Sequence, residues 1–318
     1  VLAEVRTWLD QRTSRAEDWD IGTLLRAKRG QRVSVVLPAR NESATVGAIV
    51  AAIRTALREA VPLVDEIIVI DSRSTDDTAR VAAEAGAAVF HQDQVRADLP
   101  LGSGKGEALW KSLFVATGDI IVFVDADLIG FSPSYVTGLL GPLLTDPAVA
   151  YVKACYDRPL TGSEGPALDG GRVTELVARP LLNQYWPRLA GFVQPLSGEY
   201  AGRGDVLRQV PFMSHYGVEL ALLIDLLEQV GLDALAQVDL GLREHTHQST
   251  ADLGVMAAQI QHTARIRLAR SGRLAGDGAA STELVQYTRG ATGRYRPLPR
   301  DTAISERPPA ASLQPQLV

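Results

Sequence analysis

Residues 120–130 read IIVFVDADLIG, and the reading of this stretch decides the architecture. Five apolar residues end in two carboxylates, Asp125 and Asp127, with only Ala126 between them. A run apolar on both faces marks a central strand of a covered, parallel sheet rather than a half-exposed one. Residues two apart on a strand share a face, so the two acids crowd their charges together and require something positive nearby.

Working outward, similar runs recur with helix-period segments between them. Strands are expected over 33–38 (VSVVLP), 65–71 (DEIIVID), 87–91 (AAVFH) and 119–125 (DIIVFVD), with helices over 44–60, 76–86 and 104–118. This alternation means βαβ units and a parallel α/β sheet. Ligands bind such sheets at the carboxyl ends of the strands. Three strand ends carry polar loops: PARNES (38–43), DSRSTDD (71–77) and DAD (125–127). No G-x-G-x-x-G follows the first strand and no G-x-x-x-x-G-K-[ST] occurs, which disfavours a dinucleotide or P-loop site.

The second half is less regular. Expected are a Gly-rich loop at 161–171, a helix over 171–186, a turn-rich QPLSGEYAGR at 194–203, a buried helix at 217–231, a strand at 235–241 and a long helix over 251–270. The organisation expected is a helical N-terminal appendage (1–30), an α/β core (31–156), a less regular C-terminal part (157–289) and an extended or disordered tail (290–318).

The 318 residues are 46% hydrophobic and 22% charged, enough to bury a large core. A net charge of -5 disfavours nonspecific nucleic-acid binding and attraction to anionic membranes, while leaving room for a local basic pocket. Cys155 is the only cysteine, so an intramolecular disulfide and a multi-cysteine metal site are excluded. No apolar run reaches the ~20 residues of a membrane span, and a cytoplasmic protein is the expectation.

Several groups suit a diphosphate-bearing ligand. A divalent cation held by strand-end carboxylates bridges to diphosphate oxygens, which resolves the repulsion of Asp125 and Asp127; two solvated turn or capping aspartates are the alternative. Glu42 and Ser72 stand at two further strand ends, where they also read as caps or Asx-turns. Lys105, between Gly104 and Gly106 at a helix start, faces a phosphate or simply solvent. GGRVTE offers Gly171, Arg172 and Thr174 as an anion receptor at a helix N-terminus, or merely a helix start. In REHTHQ, His245 or His247 completes a metal shell or is structural, and Glu219 is a capping acid or a sugar-hydroxyl ligand.

LPARNE, IVIDSRSTDDT, GKGEALW, GDIIVFVDAD, GPLLT, GGRVTELVARPLL, QPLSGEY, YGVELALLID, LDALAQVDLG and REH occur in that order. Together they resemble the retaining glycosyltransferases of GT-A fold that make glucosyl-3-phosphoglycerate or mannosyl-3-phosphoglycerate. The resemblance implies a Rossmann-like, mostly parallel sheet with a C-terminal acceptor-binding part. It implies that Pro38, Ala39, Glu42 and Ser72 hold the nucleoside, with Lys105, Asp125 and Ala126 at the nucleotide and its diphosphate. Asp127 and His245 would coordinate Mg²⁺ or Mn²⁺, Glu219 and Leu196 would face the donor sugar, and Tyr216 and Arg243 would lie beside it. Gly171, Arg172 and Thr174 would grip 3-phosphoglycerate, and His247 is grouped with them. A homodimer is implied as well.

Three departures stand out: Ala126 where glucosyl-transferring relatives tend to carry Ser, PARNES for a PALNE-type loop, and His247 where an Asn is expected. Donors in the family are UDP-glucose, GDP-mannose or both. One rival is an inverting transferase acting on an acceptor such as a polyprenyl phosphate, which needs a carboxylate base and usually membrane-associating segments. Another is a noncatalytic nucleotide-sugar sensor, against which the Asp127, His245 and Lys105 set argues.

Overall fold

The computed structural model describes residues 2–157, 171–243, 249–274, 282–289 and 295–313. Its strands are β1 (Thr13–Arg15), β2 (Val33–Ala39), β3 (Glu66–Asp71), β4 (Ala88–His91), β5 (Ile120–Phe123), β6 (Tyr151–Asp157), β7 (Tyr200–Arg203), β8 (Phe212–Met213), β9 (Leu235–Leu242), β10 (Glu283–Arg289), β11 (Tyr295–Asp301) and β12 (Glu306–Arg307). Eight of them form one sheet in the order β1-β9-β6-β7-β5-β2-β3-β4. All its pairings are parallel except those of β7, which runs antiparallel to both β5 and β6.

Side-chain alternation explains why the central strands are apolar throughout. Val36, Ile68, Ile70, Ile121 and Phe123 face one core, while Val33, Val35, Leu37, Ile67, Val69, Ile120 and Val122 face the other. The helices are α1 (Ala3–Arg12), α2 (Ile21–Lys28), α3 (Val46–Arg54), α4 (Thr78–Ala85), α5 (Lys105–Ser112), α6 (Ser134–Thr145), α7 (Arg179–Tyr185), α8 (Gly204–Leu207), α9 (Val218–Val230) and α10 (Thr250–Arg270); α3 and α6 close the second core, α5 and α9 the first. Each large aliphatic side chain buried this way contributes about 1.5–3 kcal/mol. No helix among the described residues is long and apolar enough to cross a membrane.

Several expectations differ from what forms. The N-terminal residues are not an appendage: α1 (Ala3–Arg12) buries Val5 and Trp8, the Trp8 indole donates to the Leu235 carbonyl at 2.7 Å, and β1 is the sheet's edge strand. Backbone pairing with β9 makes TSR a strand, so side-chain pattern carries no sign of it. Turn-rich 194–203 ends in β7, whose small residues Ala201 and Gly202 fit between two neighbours.

The proline-rich end is extended but not loose among its described residues. β11 pairs with β10, and β12 with β8. Arg307 meets Glu107 at 2.7 Å, and the Trp110 indole donates to the Pro308 carbonyl at 2.8 Å. Proline lacks a donor, yet its carbonyl still accepts. The division at residue 156 also crosses the eight-stranded sheet, because β7 and β9 belong to it.

Candidate active site

The carboxyl ends of β2, β3 and β5 open on a cleft of about 1010 Å³. Every expected site residue that is described lines it: Pro38, Ala39, Glu42, Ser72, Lys105, Asp125, Ala126, Asp127, Gly171, Arg172, Thr174, Leu196, Tyr216, Glu219 and Arg243. His245 and His247 lie outside the described residues, as does the loop at 158–170.

β5 ends at Phe123, so the two aspartates sit in the turn after it and diverge. Asp125 turns inward, its Oδ1 2.5 Å from the Lys105 ammonium and its Oδ2 3.5 Å from Arg243. Asp127 keeps 53% of its side chain exposed and has Arg243 at 3.6 Å. Lys105 also reaches Glu219 at 3.1 Å, and Arg243 reaches the fully buried Glu199 at 3.1 Å. Arg243 donates to the Tyr156 hydroxyl and lies over that ring at 5.0 Å.

Two cations thus face four carboxylates, Asp125, Asp127, Glu199 and Glu219. Although half exposed, the Asp127 carboxyl is raised above its ordinary range by partial desolvation in the cleft, and Asp125 adds to it. Burial, then Asp127, Asp125 and Asp76, pushes Glu42 up to about 7. Burial works against the charge on Lys105, but Asp125 and Glu219 outweigh it and hold the ammonium above its ordinary range. Lys105 is therefore a fixed positive charge rather than a proton donor. Surplus negative charge in a half-enclosed cleft suits a divalent cation. Among the described residues no three His, Cys, Asp or Glu side chains are close enough to hold a metal by themselves.

A further wall of the cleft carries Arg172, which donates to the Thr250 hydroxyl at 3.2 Å, at the start of α10 (Thr250–Arg270). Thr174 begins a π-helical turn over Thr174–Ala178, a geometry frequent at functional sites. Leu253, Met256 and Ile260 of α10 complete this apolar wall.

Residues 34–192 match the model described as Glycosyl transferase family 2. The glucosyl-3-phosphoglycerate synthase of Mycolicibacterium paratuberculosis is 44% identical, covering 98% of this chain and 93% of its own. The chain belongs to glycosyl transferase family 2, among the 3-phosphoglycerate hexosyltransferases. Mannosyl-3-phosphoglycerate synthase from Rubrobacter xylanophilus superposes with a TM-score of 0.90 at 39% identity, over 97% of this chain and 99% of that one. The Mycobacterium tuberculosis glucosyl-3-phosphoglycerate synthase, in complex with Mn²⁺, uridine diphosphate and phosphoglyceric acid, gives 0.80 at 43% identity, over 93% of this chain and 96% of that one. The sheet is accordingly the GT-A α/β fold of a glycosyltransferase.

Two buried charged residues next to the transferase's charge cluster were outside the expected set. Glu199, in SGEY, is wholly buried, and its Oε1 has no hydrogen-bond partner among the described residues. Lys153 lies under the cleft in β6, donating to the Ser197 carbonyl at 2.9 Å, with its ammonium 4.5 Å from the Tyr200 ring centroid. Burial pulls its pKa down to about 7. A lone charge inside an apolar strand run, YVKACY, was the available signal. Gly198 is required for a steric reason: a Cβ there would lie 2.0 Å from Asp125 Oδ2 and 2.5 Å from Lys105 Nζ, inside their ion pair.

Proposed function

We propose that the chain transfers a hexosyl group from a nucleotide-sugar to 3-phosphoglycerate with retention at the anomeric carbon. One observation carries this: a single cleft is lined both by a carboxylate-rich cluster that holds a fixed ammonium and by the Arg172 guanidinium. The relatives' products and the phosphoglyceric acid in a relative's complex support the same acceptor. Asp127, the exposed carboxylate, would hold Mg²⁺ or Mn²⁺, with His245 as the further ligand proposed. The cation supplies charge neutralisation for the diphosphate.

In this reading Lys105 stabilises the negative charge that develops on the leaving group. Glu219 and Asp125 keep it aimed and charged. The acceptor hydroxyl attacks from the face the diphosphate leaves, and a diphosphate oxygen takes its proton. Incubation with 3-phosphoglycerate, Mg²⁺ and GDP-mannose or UDP-glucose, followed by NMR of the product, tests the proposal. An α-linked hexosyl-3-phosphoglycerate is expected; a β-linked product, or none that depends on the acceptor, overturns it.

The division of the cleft has its own test. Arg172→Ala is expected to raise acceptor KM roughly tenfold to hundredfold, since a charge-assisted phosphate contact contributes about 1.5–3 kcal/mol. Donor KM should barely move. A rise confined to donor KM would place GGRVTE on the donor side. A homodimer belongs to the same proposal, motivated by exposed Leu176, Tyr185 and Val193 in the 174–193 region. A monomeric mass by light scattering at micromolar concentration would refute it.

A further inference from the structure

Two arginines line the β2–β3 end of the cleft, and they differ in commitment. Arg73 is clamped: it pairs with Asp93 through both fork positions, at 2.7 and 2.8 Å, and donates to the Gly102 carbonyl at 3.2 Å. Arg40 stands one residue beyond β2, exposed, with no side-chain hydrogen bond or ion pair among the described residues.

The other donors at this end are largely spent. Ser72 Oγ donates to Gln92 at 2.9 Å, and the Gln92 amide donates to the Gly102 carbonyl at 3.2 Å. The backbone N–H groups of Asn41, Glu42 and Ser43 donate to Ser74, Thr78 and Asp76, and that of Ser72 to the Ala39 carbonyl. A base entering here meets a guanidinium as the uncommitted side-chain fork donor among the described residues.

We propose that Arg40 reads the donor's base and favours a guanosine-diphosphate hexose over a uridine-diphosphate hexose. A guanidinium fork donates two parallel bonds to adjacent acceptors, which guanine presents as O6 and N7. Uracil separates its two carbonyl acceptors by an N–H and accepts only one bond of the fork. The inference rests on the reading of this cleft as a nucleotide-sugar site.

The test is calorimetric binding of GDP and of UDP, each with Mg²⁺ and without acceptor, to the full chain and to Arg40→Leu and Arg40→Lys. The unaltered chain is expected to prefer GDP. Arg40→Leu should lose roughly tenfold to hundredfold in GDP affinity and leave UDP within about twofold. Arg40→Lys keeps the charge without the fork, so it should lose GDP affinity as well. Equal losses for both nucleotides would make Arg40 a phosphate contact and overturn the base reading, as would no loss at all. If the unaltered chain bound neither nucleotide, the donor assignment itself would fall, and Arg40 with it.

Discussion

Arg243→Met is expected to destabilise the folded chain by about 3–5 kcal/mol near neutral pH and to abolish transfer. Arg243 is 6% exposed and Glu199 is wholly buried, so losing the 3.1 Å pair strands a carboxylate away from water. Against a total stability of roughly 5–15 kcal/mol, that is a large share. The deficit should depend on pH, and its sign follows from Glu199. Burial already raises its carboxyl above the ordinary value while Arg243 opposes the rise; without Arg243 it climbs further. A folded-state pKa above the unfolded one means the native state binds more protons, so stability falls as pH rises from the ordinary glutamate value through the raised one. Melting curves should therefore show a smaller deficit at about pH 5 than at about pH 8. Adding Glu199→Gln should restore much of the stability but not the turnover. A deficit independent of pH, with no recovery in the double variant, would show that Arg243 acts through packing instead.

Asp127→Asn should separate the two effects: leave the fold intact and remove the activity. With 53% of its side chain exposed and Asp125 raising its pKa after burial, Asp127 is a carboxylate the fold does not need. Neutralising it relieves repulsion, so the melting temperature should hold or rise. Turnover should fall on the order of a hundredfold to a thousandfold, the scale of losing one strong electrostatic contact to a developing charge. The Mg²⁺ needed for half-maximal rate should increase as well. Turnover within about tenfold of the unaltered chain, at unchanged Mg²⁺ demand, would remove Asp127 from the cation's shell.

The parts legible in the sequence were those whose cause is local. Ile120–Phe123 is apolar on both faces because helices cover both faces, and period alone reveals that. Strand ends gather polar residues, so Glu42, Ser72, Asp125 and Asp127 could be placed at one edge before any pairing was known. The parts that were missed have distant causes. β7 is a strand because β5 and β6 flank it, β1 because β9 offers an edge, and Arg307 is held by a glutamate two hundred residues earlier. Glu199 and Lys153 escaped notice since an ion's burial is a property of the assembled cleft. Lys153 carries no motif, and QPLSGEY contains Glu199 without marking it as an ion. Family resemblance supplied roles for Leu196 and Tyr216 that residue chemistry alone would not have suggested.

The antiparallel strand β7 bears on how this architecture can change over time or be altered at the bench. It lies at the centre of the sheet, between β5 and β6, yet comes from residues 200–203, within the half expected to hold the acceptor. Donor and acceptor halves consequently do not exist as exchangeable cassettes. A chimera joined near residue 156 would import a foreign central strand, and with it a new partner for Phe123, Val122 and Ile121. New specificities in such a scaffold are reached by editing the loops beyond the strand ends, one side chain at a time, while the sheet is inherited whole.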